Sequence, residues 1–163
     1  MDRYELRRLD YSLTEDHTDL QSAYRQFFKT YCPIDTVRAA EATGFDKSLW
    51  ERLCAMGATS MAVPESAGGD GATLVDLTLV AEEIGRSLAP VPWIDHVCAA
   101  RLLAQLDALE EDVISGNQVA AVDPDLDSHG GVRLIPTGSI ADHIVVRAGT
   151  DVVLLSFGTR PAQ

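Results

Sequence analysis

The spacing of apolar residues changes at Gly116, and this change divides the chain into two parts. Before Gly116, apolar residues recur every three or four positions, which is typical of amphipathic helices. After Gly116, short runs rich in valine, isoleucine and leucine alternate with Gly, Pro and Asp, which is typical of strands. We therefore expect an α+β protein, with an all-α helical bundle over residues 1–116 and an incomplete antiparallel β-domain over residues 117–163.

The apolar periodicity predicts five helices in the first part. The first covers residues 15–31, with Thr14 as its N-cap and Pro33 beyond its end. The next three are predicted over residues 35–43, from the N-cap Asp46 to Gly57, and from Thr73, paired with Asp76 in a capping box, to Pro90. The fifth covers residues 93–106, and a last turn reaches Gly116. Its predicted buried face has four-residue spacing and consists of Ile94, Cys98, Leu102 and Leu106.

Four short strands are predicted after Gly116, over residues 118–122, 132–135, 143–146 and 152–157, with a hairpin turn at Gly149 and Thr150. Four such strands cannot close a barrel or cover both faces of a sandwich. We therefore expect the chain to stop inside its β-domain, with sheet edges or faces that need another part to cover them.

The charge balance argues against two classes of partner. The 163 residues include 13 Lys and Arg against 25 Asp and Glu, a formal net charge of −12. This charge repels a phosphate backbone and an anionic membrane surface, so we expect neither nucleic-acid nor membrane binding. No uncharged run approaches the roughly 20 residues of a membrane helix, and the start of the chain lacks the apolar stretch of a signal peptide. We expect a cytoplasmic protein.

The cysteines and histidines do not form a recognisable site in the sequence. Cys32, Cys54 and Cys98 are odd in number and widely spaced, which predicts reduced thiols within the core. The four histidines lack the spacing of metal ligands, so we expect no metal site.

Two further patterns have simple structural interpretations. The glycine-rich loop 63–72 precedes a helix, and we weighed a phosphate cradle against a plain turn. It lacks the third glycine of a dinucleotide fingerprint and the Gly-Lys-Ser/Thr of a P-loop, which favours the turn. In the following helix, Glu82 is predicted to pair with Arg86 one turn later.

Four motifs in a fixed order carry a resemblance to a known family. They are Phe45-Asp46-Lys47-Ser48-Leu49-Trp50, then Val63-Pro64-Glu65, then Gly68-Gly69-Asp70-Gly71, and then Glu82-Glu83-Ile84-Gly85. Their order and spacing resemble the N-terminal part of an acyl-CoA dehydrogenase over about residues 14–122. The segments 130–134 and 141–146 also resemble the middle β-domain of that family.

The resemblance implies a chain of three domains, helical, β and four-helix, of which this sequence covers the first and part of the second. It implies an FAD-dependent flavoprotein of lipid metabolism that oxidises an acyl-CoA thioester to the 2-enoyl-CoA. In this family a glutamate removes the α-proton while hydride leaves the β-carbon for the flavin. That glutamate belongs to the C-terminal domain, so the resemblance assigns no catalytic residue to this chain.

The resemblance assigns one candidate binding site and leaves another open. In the family, the start of the helix after the Glu-Glu motif lines the acyl-chain cavity, which here indicates Pro92, Trp93, His96 and Val97 as substrate-binding residues. The alternative is that these four side chains only pack between helices. Residues 123–129 depart from the family segment that contacts the flavin, so no cofactor-binding residue is assigned.

Three functional hypotheses follow from the resemblance. In the first, the chain is the N-terminal portion of an acyl-CoA dehydrogenase and acts only with its remaining domains. In the second, it is a non-catalytic partner of a sister subunit in a hetero-oligomer. In the third, it is an acyl-thioester binding module. We expect an oligomer in which acyl-CoA is the substrate.

Overall fold

The computed structural model describes residues 12–123 and 135–158. Within these ranges, helices come first and a small sheet follows, which confirms the α+β class; the domain division at Gly116 stays a prediction. The helices are α1 (Glu15–Tyr31), α2 (Ile34–Ala39), α3 (Lys47–Ala55), α4 (Leu74–Arg86), α5 (Trp93–Gln105) and α6 (Glu111–Ile114), and the strands are β1 (Ala120–Val122), β2 (His143–Ala148) and β3 (Asp151–Ser156).

Helix α1 has the predicted bounds because its capping residues are complete. The Thr14 hydroxyl accepts a hydrogen bond from the His17 backbone N–H at 3.2 Å, and His17 Nδ1 accepts one from the Thr14 N–H at 3.3 Å. This is a capping box in which a histidine takes the place usually held by glutamate. The predicted N-cap is confirmed.

The predicted caps of α3 and α4 are also confirmed. Asp46 accepts a hydrogen bond from the Leu49 N–H at 2.8 Å, and Thr73 and Asp76 form a complete capping box. Gly57 follows α3 with a φ of 80°, the left-handed conformation that glycine adopts without steric cost. The apolar periodicity also predicts Leu74 and Leu88 on the buried face of α4, and this is wrong: Leu74, its first residue, is 75% exposed, and Leu88, just beyond its end, is 66% exposed.

Two predicted helices are shorter than the periodicity indicated. Helix α2 ends at Ala39, and the chain continues in turns to Gly44, whose N–H bonds to the Ala40 carbonyl at 2.7 Å. Helix α5 ends at Gln105, and α6 is a separate single turn. Asp107, between them, has a φ of 53°, a left-handed conformation that interrupts the helix.

Helices α1 and α4 lie side by side and run parallel. His17 contacts Asp76 at 3.5 Å, Gln21 donates to Glu82 at 3.1 Å, and Arg25 bonds to Glu83 at 2.7 Å. Residue numbers rise together along both helices, so their N-termini lie at the same end. Segment 32–73, which contains α2 and α3, returns the chain to that end.

The core has three parts, which follow one another in space from the helices to the far face of the sheet. The largest part joins α1, α3, α4 and α5 around Phe28, Leu53 and Val80. A second part joins α5 and α6 to one face of the sheet through Leu103 and Val145. A small third part lies on the other face of the sheet and contains Ala121, Ala141 and Ile144.

The sheet is mixed, with strand order β1-β2-β3. Strands β2 and β3 form an antiparallel hairpin in which Val145 faces Leu154, and Gly149 turns with a φ of 66°. Strand β1 pairs with β2 in parallel, with Ala121 opposite Ile144, so the expected all-antiparallel pairing is wrong at this edge. A parallel neighbour needs a long crossover, which the segment between β1 and β2 supplies. The strand predicted at residues 132–135 falls almost entirely outside the described residues.

Hydrogen bonds of His143 join the start of β2 to the end of β3 and to the segment that precedes β1. His143 Nε2 lies 2.7 Å from the Gln118 amide oxygen, and His143 Nδ1 lies 2.9 Å from the Ser156 hydroxyl. Because the amide oxygen can only accept, Nε2 donates this hydrogen bond. His143 thus links the first residue of β2 to Gln118 and to the last residue of β3.

Candidate functional site

Helix α5 carries the predicted site residues, and its buried face differs from the predicted one. Ile94 is 51% exposed, Leu106 is 46% exposed and Cys98 is also exposed, so the predicted face of four-residue spacing is wrong. The buried face instead consists of Trp93, His96, Val97, Ala99, Ala100 and Leu103. Apolar residues thus lie on both sides of α5, and spacing alone could not distinguish them.

Trp93 and Val97 lie within the helical core. The Trp93 indole N–H donates to the Ala58 carbonyl at 2.8 Å, so this large side chain is both buried and hydrogen-bonded. Val97 belongs to the same core cluster. Both side chains are covered by other residues of the chain.

His96 is fully buried and connects α5 to the sheet. Its Nδ1 accepts a hydrogen bond from the Ala120 N–H at 3.2 Å, and its ring packs edge-on against Trp50 with centroids 5.1 Å apart. Burial lowers the pKa of His96 to about 4, and the Val113 backbone opposes this shift in part. Among the described residues, no acceptor reaches Nε2 at normal hydrogen-bond distance. The ring is therefore neutral at physiological pH and serves as an acceptor for the first residue of β1.

Pro92 differs from the other three predicted residues because it borders a groove. This groove has a volume of about 400 Å³ and lies between the start of α5, the α2–α3 connection and the turn that precedes β2. Its lining includes Thr43, Gly44, Val91, Pro92, Ile94, Asp95, Pro136, Thr137, Ser139 and Ile140. The structure thus brings Pro92 to a groove and places Trp93, His96 and Val97 in the core behind it.

Sequence reasoning missed two polar residues of this groove. Asp95 follows two apolar residues in the first turn of α5, and its carboxylate accepts a hydrogen bond from the Thr137 hydroxyl. A charged side chain in the apolar first turn of this helix is the available signal for Asp95. Thr137 had no such signal, because its approach depends on how the sheet segment docks.

The glycine-rich loop forms a closed turn over residues 67–72. The backbone N–H groups of residues 67–72 all donate to carbonyls of the protein, with Gly71 bonding to Val63 at 2.9 Å and Ala72 to Met61 at 2.8 Å. Gly69 is required because a Cβ there would overlap the Val63 carbonyl oxygen. The turn interpretation is confirmed for residues 67–72, whose N–H groups are all bonded within the protein.

In α4 the glutamate that pairs with Arg86 is Glu83 and not its predicted neighbour Glu82. Glu82 accepts a hydrogen bond from Gln21, whereas the fully buried Glu83 lies 3.5 Å from Arg86 and receives two hydrogen bonds from Arg25. The hydrogen bond from Arg25 holds the pKa of Glu83 below its usual value, against the opposing effect of burial. The predicted Glu82–Arg86 pair is therefore wrong. Glu83 is an ionised group that binds α1 to α4.

The three cysteines are unpaired but only one is fully in the core. Cys32 is buried, Cys54 is half-buried and Cys98 is exposed, so the prediction of core thiols is wrong for Cys98. Burial raises the pKa of Cys54 to about 11, which keeps this thiol protonated.

Residues 12–123 and 135–158 contain neither a membrane-spanning helix nor a cluster of metal ligands. No helix there has the length and apolar composition needed to cross a membrane. The same residues contain no group of three or more His, Cys, Asp or Glu side chains placed to hold a metal ion.

The described residues thus form a helical bundle that leads into a three-stranded sheet, with a groove at their junction. The family model described as "Acyl-CoA dehydrogenase, N-terminal domain" matches residues 14–106. The chain belongs to the acyl-CoA dehydrogenase family.

Two curated relatives from Mycobacterium tuberculosis support this assignment. The chain is 37% identical over 120 residues to acyl-CoA dehydrogenase IpdE2, an alignment covering 67% of this chain and 35% of the relative. It is 30% identical over 168 residues to acyl-CoA dehydrogenase FadE27, covering 88% of this chain and 45% of the relative. The chain thus spans less than half the length of these relatives.

Solved structures show the same fold. One chain of the ChsE4–ChsE5 complex from Mycobacterium tuberculosis matches 92% of this chain with a TM-score of 0.79 and 26% identity, over 49% of its own length. The Tcur3481–Tcur3483 steroid ACAD variant matches 87% of this chain, with a TM-score of 0.73 and 29% identity, over 48% of its own length. Butyryl-CoA dehydrogenase from Megasphaera elsdenii, at 20% identity and a TM-score of 0.66, matches 93% of this chain and 51% of its own and shows the fold alone.

Proposed function

We propose that this chain supplies the helical domain and the first strands of the β-domain of an FAD-dependent acyl-CoA dehydrogenase, which oxidises an acyl-CoA thioester to the 2-enoyl-CoA. The observation that carries this proposal is the match over 92% of the chain to a solved acyl-CoA dehydrogenase-type complex, at a TM-score of 0.79. The chain is proposed to act only together with the rest of that fold, in the same polypeptide or in a second one.

The N–H groups of residues 67–72 in the glycine-rich loop are not available to a flavin. A flavin pyrophosphate would need free backbone amides or cationic side chains, and these six amides are bonded within the protein. We therefore assign no flavin contact to these residues. The proposal places FAD on the complete protein or assembly, as in the structure titled "PigA with FAD and proline", which has the same fold.

A sister subunit is part of the proposal. One of the similar structures is named as the ChsE4–ChsE5 complex, and a second carries the joined names Tcur3481–Tcur3483. These names favour a hetero-oligomer. They also support a second candidate function, in which the chain is the non-catalytic partner of a sister subunit. An acyl-thioester binding module without a partner is the third candidate.

Native mass spectrometry of the protein purified from its own host tests these candidates, because one spectrum reports chain length, partner chains and bound FAD. Turnover is then measured with acyl-CoA and an artificial electron acceptor. A flavin-containing assembly that forms enoyl-CoA supports the proposal, and FAD held entirely by a sister chain supports the partner role. Turnover by the 163-residue chain alone would show that the remaining fold is not needed. Failure of the flavin-containing assembly to oxidise any acyl-CoA would overturn the dehydrogenase proposal.

The substrates to compare first follow from one of the relatives. Tcur3481–Tcur3483 is named a steroid ACAD, so we propose a bulky, ring-containing acyl-CoA as the first substrate class to test against straight-chain acyl-CoAs. Higher kcat/KM for straight chains would reject the ring-containing class.

We also propose that the start of α5 borders the acyl chain in the complete enzyme, as predicted for Pro92, Trp93, His96 and Val97. A sharp test compares Trp93→Phe with Trp50→Phe, since both indoles are buried and donate to a backbone carbonyl, of Ala58 and Gly116 respectively. Only Trp93→Phe should change the ranking of kcat/KM across acyl lengths. If the ranking of kcat/KM across acyl lengths is unchanged in both variants, these side chains serve only to pack the core.

A further inference from the structure

The groove beside Pro92 has the shape and position of a ligand site. Its volume of about 400 Å³ lies within the range of small-molecule pockets, and it sits at the junction between helical and sheet parts, where such pockets often occur. Val91, Pro92, Ile94 and Ile140 supply apolar walls. Ile94 is 51% exposed although it is a large aliphatic residue in the first turn of α5, so its apolar surface is available to a ligand.

The groove is also lined by the carboxylate of Asp95. Asp95 accepts a hydrogen bond from the Thr137 hydroxyl. In the described part of the chain, Thr137 is the one hydrogen-bond donor that reaches the Asp95 carboxylate. An ionised carboxylate has about four acceptor sites and no donor, so it retains acceptor capacity that a ligand can use.

We infer that this groove binds the far end of the acyl group and that Asp95 recognises a hydroxyl group carried there, so that the preferred substrate is a hydroxylated acyl-CoA. The inference rests on the proposed dehydrogenase function and adds a substrate class to it. A hydroxyl is the matching group because it can donate to the carboxylate while the attached carbon skeleton contacts the apolar walls. A ligand carbonyl would meet the carboxylate as a second acceptor, which is unfavourable.

The test uses the flavin-containing assembly and two substrates that differ by one hydroxyl, ω-hydroxylauroyl-CoA and lauroyl-CoA. We expect kcat/KM to favour the hydroxylated substrate by about 10-fold or more, the size typical of a hydrogen bond to a charged group. Asp95→Ala should remove this preference. Thr137→Val is the matched control, because it removes the same internal hydrogen bond but keeps the carboxylate, and it should retain the preference.

A second pair of variants tests the apolar wall. Ile94→Ala should lower kcat/KM for both substrates, whereas Leu106→Ala, at the other end of α5 and similarly exposed, should lower neither. Equal oxidation of the two substrates by the unmodified assembly, or a preference that survives Asp95→Ala, would overturn the inference and leave the dehydrogenase function standing. Absence of turnover with every acyl-CoA would instead overturn the proposed function on which the inference rests.

Discussion

The Arg25 guanidinium donates two hydrogen bonds to the buried Glu83 carboxylate, from Nη2 at 2.7 Å and from Nε at 3.2 Å. The two residues belong to different helices, α1 and α4. Glu83 is fully buried while Arg25 is about half exposed, so the arginine brings a solvated charge to a carboxylate that water does not reach. This ion pair is the main polar link between the two helices.

Removing Arg25 should destabilise the protein because it leaves the Glu83 carboxylate with only the longer Arg86 contact. We expect Arg25→Ala to lower the Tm by about 4 °C or more, and Arg25→Lys to lower it less. Arg38→Ala is the control, since Arg38 pairs with Asp35 on the surface. Equal Tm values for Arg25→Ala and Arg38→Ala would contradict the role given to this pair.

The same pair predicts acid sensitivity. The folded state lowers the pKa of Glu83 below its usual value of 4.5, so the carboxylate stabilises the fold above that pH. Stability should therefore decrease as the pH falls below about 4.5 and Glu83 takes up a proton. In Glu83→Gln the free energy of unfolding should depend less on pH in that range, as measured by urea titration at several pH values. A variant as acid-sensitive as the unmodified protein would show that other carboxylates control the effect.

The buried His96 predicts that the stability of the protein also depends on pH between about 4 and 6.5. Its pKa falls from 6.5 to about 4 on folding, so between these values the unfolded chain binds a proton that the folded chain does not. Stability should rise with pH across this window, by about 3 kcal/mol in total. His96→Gln should reduce the slope between about pH 5 and pH 6.5, whereas His17→Gln, in the α1 capping box, should keep it. A steep slope in His96→Gln would place its origin elsewhere.

Two glycine substitutions should have opposite effects. Gly69→Ala places a Cβ against the Val63 backbone and should destabilise the protein by about 1 to 3 kcal/mol. Gly85→Ala lies within α4 with open space around the new methyl group, and should stabilise it by about 0.5 to 1 kcal/mol. Equilibrium unfolding of both variants decides this, and a stable Gly69→Ala would mean that the loop can move away from Val63.

Leu88 offers a stabilising substitution of a different kind. It follows α4 in a left-handed conformation with a φ of 49°, and the Ala89 N–H closes the helix on the Ile84 carbonyl at 3.0 Å. Because this position favours glycine and the leucine is mostly exposed, Leu88→Gly should raise stability by about 1 kcal/mol. The same change at Leu106, where φ is −99°, should not. A loss of stability in Leu88→Gly would show that the side chain packs more tightly than its exposure indicates.

Local features of the fold were predictable from the sequence, and features that depend on distant contacts were not. Thr14, Asp46 and Thr73 were found because a cap depends on neighbouring residues only. The inner face of α5 was missed because apolar residues lie on both of its sides, and the buried side includes His96 and two alanines. The parallel pairing of β1 with β2 depends on a crossover that no local pattern specifies.

The candidate site shows the same limit. Pro92 lies at a groove, and its role in binding substrate stays a prediction; the residues that line the groove with it come from three separate segments. Thr137 approaches Asp95 only after the sheet docks on α5, so no spacing rule could have paired them.

The parallel arrangement of α1 and α4 also constrains how the chain folds. A helix of the length of α1 extends about 25 Å, so the connection through α2 and α3 must travel that distance backwards before α4 can pair with α1. The two helices cannot nucleate as a local hairpin, and their pairing must follow the closure of a long loop. Folding of the bundle should therefore be slower than for an up-and-down bundle of similar size. Shortening segment 32–73 should prevent α1 from pairing with α4 even if each helix still forms.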